Sequence, residues 1–483
     1  MKLIELIASS GIEAGTDGID EKDITLVTEE SERVTPNSVF VCVNGKNYNG
    51  HLKAKEALSK GVPLVIGEEN LDIPNYIRTE NAREAFGKLS RAYFGFPDKK
   101  LCLVGITGTN GKTTTAEYIR FILNRSGRKC GVIGTLGWDC GTKRVPSERT
   151  TPDSFTFYSE LKRTAENGCG CCVAEISSQA LDQSRVNAAE FDLAILTNIG
   201  HDHLDYHKTA RNYVEAKKKL FTLSSAALIN ADDAYRDEFA AAFTGKKCKL
   251  FSAGMNLADY SARNIKSDAR GGSSYILFDG NRLERVYVSA PGKIGIYNTL
   301  CAASASMMLG TDISVTAKAL EELPDVNGRC EMITSEDGIR VCVDFAHTPE
   351  ALGSILSALG ETASGKIITV FGCGGDRDAT KRPVMGRIAM SLSDCVILTS
   401  DNPRNEDPEK IISDISSGIR NKAYLFREPD RRRAIMLALN KASCGDTVLI
   451  AGKGHETTQL SDGVTEHFSD AEAVREILGI TKQ

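Results

Sequence analysis

The sequence predicts an α/β protein of three domains. These are a small N-terminal α/β unit, a central parallel-sheet unit that carries a phosphate loop, and a C-terminal doubly wound, Rossmann-like unit. Three observations predict it. The chain has 483 residues, which suits three domains better than one. Short apolar runs alternate with helical patterns through the middle and the end of the chain, as in parallel sheets covered on both faces. Glycine-rich or charged segments follow those runs directly, where open parallel sheets bind ligands, outside the carboxyl ends of the strands.

Residues 1–97 form the first unit. Its strand candidates are 38–43 and 62–66, with Asn44-Gly45 and Asn49-Gly50 as turns. Phe96-Pro97-Asp98-Lys99-Lys100 reads as a linker. The second unit, 98–328, opens on the apolar run 101–106. A helical pattern follows, with Ile119, Ile122 and Leu123 on one face and Gly127 as its stop. Residues 130–133, 172–176, 193–196 and 226–229 are further strand candidates. The third unit, 329–483, repeats the alternation with 341–345, 367–371, 396–398 and 448–450.

Composition bounds the function. An apolar fraction of 41% and a charged fraction of 25% are those of an ordinary globular protein that needs no disulfide or metal for its cores. A net charge of −5 argues against a polyanion binder that works by bulk charge, so no nucleic-acid partner is expected. Glu5 interrupts the first apolar residues too early for a secretory signal, and no stretch approaches a membrane span. The fourteen cysteines therefore read as reduced thiols of a cytoplasmic protein. Cys169, Cys171 and Cys172 are crowded but lack a zinc partner at useful spacing.

The strongest chemical signal is Gly108-Thr109-Asn110-Gly111-Lys112-Thr113-Thr114. Its glycines let backbone N–H groups turn toward an anion, and the helix that follows adds its positive end. Lys112 can reach β/γ phosphates and the Thr113 hydroxyl can ligate magnesium. The first glycine of the usual phosphate loop falls at Ile106, so this is a compact Gly-x-x-Gly-Lys-Thr variant. Such loops serve kinases, GTPases, motors and ligases alike. Residues 197–207 hold His201, His203 and His207, three of the seven histidines. No cysteine joins them to complete a zinc set. One histidine with Glu175 as magnesium ligands is the better reading, with an ordinary hydrogen-bonding histidine as the alternative.

Taken in order, these motifs resemble the Mur ligases of bacterial peptidoglycan synthesis. The phosphate loop, Glu175-Ile176-Ser177-Ser178, Thr197-Asn198 with Asp202-His203-Leu204-Asp205-Tyr206-His207, and Tyr213-Val214-Glu215-Ala216-Lys217 ahead of Leu220-Phe221 all carry the likeness. Tyr297-Asn298, Gly328-Arg329, Val343-Asp344-Phe345-Ala346-His347-Thr348-Pro349 and residues 372–383 continue it over nearly the whole chain. The resemblance implies domains for a UDP-sugar, for ATP and for an incoming amino acid, in that order. It implies that ATP phosphorylates the D-glutamate γ-carboxylate of UDP-N-acetylmuramoyl-L-alanyl-D-glutamate, that an amine attacks, and that a tetrahedral intermediate expels phosphate.

The same resemblance implies site residues. Lys112, Glu175, His203 and Lys217 are the catalytic set, and Thr113, Glu175, His203 and a carbamate on Lys217 are the magnesium side. On composition alone, Lys217-Lys218-Lys219 reads as a solvated run instead. Asn298, Arg329 and Asp344 join the loop at the nucleotide. Ser31, Thr150, Thr151, Ser177, Gln183 and Arg185 fall on positions for the UDP-sugar peptide. Asp401-Asn402-Pro403-Arg404 resembles a signature for meso-diaminopimelate, whose second carboxylate a guanidinium grips bidentately. Arg377, Gly452 and Glu456 complete that site, Glu456 as counter-charge for the distal ammonium. The chain departs from the family pattern at Glu30-Ser31-Glu32-Arg33, Arg149, Gln179 and Phe345. The competing readings are a lysine-adding ligase of the same type, a folylpolyglutamate-synthase-like ligase and a phosphate-loop NTPase. A monomer without membrane insertion is expected.

Overall fold

The computed structural model describes residues 1–13, 21–45, 48–200, 202–267, 272–290 and 292–480; His201 lies outside them. In the first domain, short aliphatic runs form a four-stranded sheet whose spatial order is the chain order. Its strands, Leu26–Thr28, Ser38–Val41, Leu64–Gly67 and Tyr76–Arg78, are all parallel. Helix Ala82–Tyr93 starts where the Asn81 side chain accepts from the Glu84 N–H, and it lays Ala85, Phe86, Leu89 and Ala92 on the sheet.

The segment expected to be a linker is instead a fixed joint. Pro97–Lys100 is a 3-10 turn, and the Asp98 side chain is fully buried. Arg91 grips it at 2.7–3.0 Å, and the Glu190 N–H of the central domain donates to it at 3.1 Å. A buried carboxylate is stable only when its oxygens are paired this fully, so the joint resists bending.

The central domain is built on one eleven-stranded sheet. Cys102–Thr107 lies in its parallel region, between Leu193–Leu196 and Cys171–Glu175. Ala226–Asn230, Lys247–Ser252 and Tyr260–Ser267 extend it on one side and Cys130–Gly134 on the other, all in parallel. Val104 and Ile106 enter one core and Leu103 the opposite one, which is why the strand reads as an unbroken apolar run. Antiparallel hairpins close both edges: Ser273–Phe278 with Leu283–Val288, and Gly137–Asp139 with Arg144–Val145. Helix Gly292–Met308, buried along most of its length, packs against Lys112–Arg125 and delivers Asn298 to the phosphate loop.

In the third domain the strand order is Glu331–Thr334, Arg340–Asp344, Thr447–Ala451, Ile367–Phe371, Cys395–Leu398, Leu425–Arg427. The first pair is antiparallel and the others are parallel, with an apolar core on each face of the sheet. All fourteen cysteines are free thiols. Among the described residues, no helix is long and apolar enough to cross a membrane.

Candidate active site

The phosphate loop owes its shape to two glycines. Gly108 has φ +148°, and a Cβ there would fall 1.9 Å from Thr197 Oγ1; Gly111 has φ +83°, and its Cβ would meet Asn298 Oδ1 at 2.4 Å. Asn198 fastens the loop, its Oδ1 accepting from the Asn110 N–H at 3.0 Å and its Nδ2 donating to the Asn110 carbonyl at 3.0 Å. Lys112 Nζ donates to the Gly108 and Thr109 carbonyls, each at 2.8 Å. Burial, with Arg329 adding to it, holds this ammonium below the usual lysine range, while Glu175 and Asp202 oppose.

Glu175 ends its strand buried against the loop. Thr113 Oγ1 donates to it at 2.8 Å, and Thr135 donates through both its N–H (2.8 Å) and its hydroxyl (3.1 Å). Thr135 is a site residue that the sequence reading missed. It directly follows strand Cys130–Gly134, so the carboxyl-edge rule that found the other segments also points to it.

Lys217 overturns its reading as a solvated lysine. Helix Ala210–Thr222 turns Tyr213, Val214, Lys217, Leu220 and Phe221 inward, so Lys217 is 1% exposed while Lys218 and Lys219 keep contact with solvent. Its Nζ donates to the Gly108 carbonyl at 2.8 Å and sits 3.4 Å from Thr107 Oγ1. Burial, reinforced by the Lys112 charge, drives its pKa far below that of an ordinary lysine. His203 lines the same cleft with a half-open side chain beside Asp202, at 3.5 Å. Among the described residues, no hydrogen bond or ion pair joins His203 to Glu175 or Thr113, and no group of three His, Cys, Asp or Glu side chains converges as a metal site. The hydroxyl–carboxylate pair Thr113–Glu175 nevertheless suits magnesium, which takes few protein oxygens and keeps water and phosphate in its other positions.

The third domain closes this site. Arg329 is half-buried with its guanidinium 4.5 Å over the Phe345 ring, and its buried Nε has no hydrogen-bond partner. Asp344 accepts from the Cys330 N–H at 2.7 Å and the Ala346 N–H at 2.8 Å. Both residues line one continuous cleft of about 1830 Å³ with Thr109–Thr114, Glu175, His203, Lys217 and Asn298.

The same cleft reaches Arg377, Asp401, Asn402, Arg404, Gly452 and Glu456. Arg404 sits in a left-handed conformation (φ +56°), with Nη1 donating to the Gly375 carbonyl at 2.7 Å. Pro403 supports this turn, its carbonyl pressed against Gly375. Burial and the neighbouring Arg377 lower the Arg404 pKa. Glu456 is not a bare counter-charge as expected: its Oε2 already accepts from Asn402 Nδ2 at 2.8 Å and from Lys453 Nζ at 3.1 Å.

The residues expected at the UDP-sugar peptide are partly gathered. Thr151 Oγ1 links the Glu175 carbonyl (2.8 Å) to the Ser177 N–H (3.0 Å). Arg185 donates to the Thr151 carbonyl at 2.8 Å and to Gln183 Oε1 at 2.7 Å, so it is tied down rather than solvated. Thr150 shares a 3.0 Å hydroxyl contact with Thr135. Ser31 is buried in the first domain, its carbonyl accepting from Lys60 Nζ at 2.9 Å. Nearby Glu29, missed in the sequence, feels the charges of Arg83, Arg149 and Arg185, which marks where the first domain faces this cluster.

Residues 106–306 match the Mur ligase middle domain, and residues 328–454 match the Mur ligase, glutamate ligase domain. A UDP-N-acetylmuramoyl-L-alanyl-D-glutamate–2,6-diaminopimelate ligase of Clostridium botulinum is 38% identical over 95% of this chain and 96% of its own. The Aquifex aeolicus protein of the same name is 41% identical over 95% and 94%. A solved structure of a ligase of that name superposes with a TM-score of 0.73 at 31% identity, covering 99% of both chains. With its folds, its cleft and its full-length relatives in agreement, the chain belongs to the Mur ligase family.

Proposed function

We propose that this chain is an ATP-dependent acid–amino-acid ligase acting in peptidoglycan precursor synthesis. It joins meso-diaminopimelate to the D-glutamate γ-carboxylate of UDP-N-acetylmuramoyl-L-alanyl-D-glutamate and releases ADP and phosphate. The observation that carries this reading is the single cleft with a phosphate-handling wall on one side and the Arg377–Arg404 wall on the other. The names of the full-length relatives support the choice of substrates.

The loop N–H groups and the start of helix Lys112–Arg125 hold the triphosphate, with Lys112 against the transferring group. Asn298, Arg329 and Asp344 hold the rest of the nucleotide; the unpartnered Arg329 Nε is a donor left for it. Thr113 and Glu175, with His203 on the same cleft, would hold magnesium, which would supply positive charge against the phosphoryl oxygens. Lys217, its ammonium form disfavoured by burial, reacts as the free amine: an N–C bond forms to carbon dioxide, one proton leaves, and a neutral amine becomes an anionic carbamate beside the loop. Ser31, Thr150, Thr151, Ser177, Gln183 and Arg185 hold the UDP-sugar peptide so that its carboxylate meets the γ-phosphate. The amine then attacks the acyl phosphate from the opposite wall, and the tetrahedral intermediate expels phosphate. The enzyme acts as a cytoplasmic monomer.

An acceptor panel tests the reading. With ATP, magnesium and the UDP-sugar dipeptide, phosphate release should require an amino acid, and meso-diaminopimelate should exceed L-lysine and L-ornithine in kcat/KM, with a product of matching mass. ATP hydrolysis indifferent to both substrates, or a preference for lysine, would overturn it.

A further inference from the structure

Behind the acceptor wall lies a lysine that does not itself line the cleft. Lys453 follows strand Thr447–Ala451 and is fully buried. Its ammonium has three acceptors: Thr458 O at 2.6 Å, Asn402 Oδ1 at 3.1 Å and Glu456 Oε2 at 3.1 Å. A buried ammonium has three N–H donors, and here each finds an oxygen. Asn402 Oδ1 also accepts from the Leu460 N–H at 3.0 Å. The amide oxygen is thus fixed toward Lys453, and Nδ2 is fixed toward Glu456 at 2.8 Å. Both cleft-lining partners owe their orientation to a residue outside the cleft.

Charge gives this arrangement a consequence. The charged side chains that act most on the Arg404 guanidinium are Arg377, Asp401, Glu456 and Asp376. The nearby Arg431 is neutralised by its own buried partner, Asp470, at 2.7 and 2.8 Å. With Lys453 included, the cations Arg377, Arg404 and Lys453 equal the anions Asp376, Asp401 and Glu456 in number. A balanced pocket suits an acceptor whose distal end carries both an ammonium and a carboxylate. A distal end with an ammonium alone brings an uncompensated charge.

We propose that Lys453 is a positioning residue that sets acceptor selectivity, holding Asn402 and Glu456 from behind and balancing the pocket so that a zwitterionic distal group is preferred to a bare ammonium. The proposal rests on the acceptor site described above.

The test is kcat/KM for meso-diaminopimelate and for L-lysine in the full-length enzyme and three variants. Lys453→Met leaves the pocket net negative and should lower the diaminopimelate-to-lysine ratio about tenfold, the scale of one charge at short range in a partly screened site. Glu456→Gln leaves the Lys453 charge unmet and should raise the ratio. The double variant restores the balance and should return the ratio to within about threefold of wild type. The KM for ATP should stay within about twofold throughout. A purely structural Lys453 would lower both acceptors equally, and an unchanged ratio overturns the proposal while the acceptor site stands. Should Lys453→Met fail to fold, the half-buried Glu456→Gln still decides, since a ratio that stays or falls is the wrong sign. Wild type that ligates neither amino acid overturns the acceptor site itself, and this inference with it.

Discussion

The two walls of the cleft handle charge in opposite ways. The central-domain wall is made of backbone: Gly108 and Gly111 turn the chain into conformations that side chains resist, and the loop presents N–H groups at a helix start. The third-domain wall is made of side chains held by buried cations. Arg431 ties the Ser400 and Ala451 carbonyls, Arg382 ties Glu406 and Asp414, and Lys453 ties Asn402 and Glu456. A phosphate is the same ligand in every nucleotide, so a cradle of N–H groups suffices for it. Telling one amino acid from another needs charges at fixed places, and side chains can be fixed only by further side chains behind them.

The largest loss of activity is expected on the backbone wall. Lys112 is the one cationic residue within the loop sequence 108–114, so Lys112→Ala should lower kcat by about a thousandfold or more, as read by phosphate release. The fold should persist, because the Gly108 and Thr109 carbonyls that lose Lys112 can be met by water in the cleft. Next comes Lys217→Ala, with a loss of about a hundredfold in kcat. Added bicarbonate should raise the activity of carbon-dioxide-depleted wild type and leave the variant unmoved. Full activity in Lys217→Ala would remove the carbamate from the mechanism.

On the side-chain wall, Arg404→Met should reduce kcat/KM for diaminopimelate about thirtyfold, the worth of a charge-assisted contact to a carboxylate, and affect lysine far less. Equal losses for both amino acids would show that Arg404 shapes the turn from residue 401 to 404 and does not read the substrate.

The same contrast explains what the sequence made legible. Backbone sites announce themselves, because glycines, strand ends and a Lys-Thr pair follow one another in the chain. The phosphate loop and the parallel strands were readable for that reason. The antiparallel hairpin pairing Ser273–Phe278 with Leu283–Val288 is harder to read, because only alternate residues of its first strand are buried. Lys217 lay hidden in a run of three lysines, yet Tyr213, Val214, Leu220 and Phe221 give its helix an apolar stripe that includes position 217. Lys453 left no comparable trace. Between two glycines it resembles any loop lysine, and its burial follows from Asn402, Glu456 and Thr458 meeting in space.

The smallest expected effect lies where the two kinds of wall meet. His455 packs its ring 5.0 Å from Phe345, the ring that carries Arg329, and its Nδ1 is buried without a partner. Burial, then the charges of Arg329 and Lys453, push its pKa down to about 3. An unfolded histidine takes its proton near pH 6.5, so below that value the unfolded chain binds a proton that the folded chain refuses. This contribution is therefore complete above pH 6.5 and is lost steadily as pH falls toward 3. Between pH 6.5 and 5.5 it amounts to about 1 kcal/mol, visible as a lower Tm in thermal melts. His455→Gln, which cannot take the proton, should flatten that part of the pH profile while leaving the melting curve near pH 8 within a few degrees of wild type. If the slope between pH 6.5 and 5.5 survives the substitution, the acid sensitivity belongs to other groups, and the junction between the walls is not held by a neutral histidine.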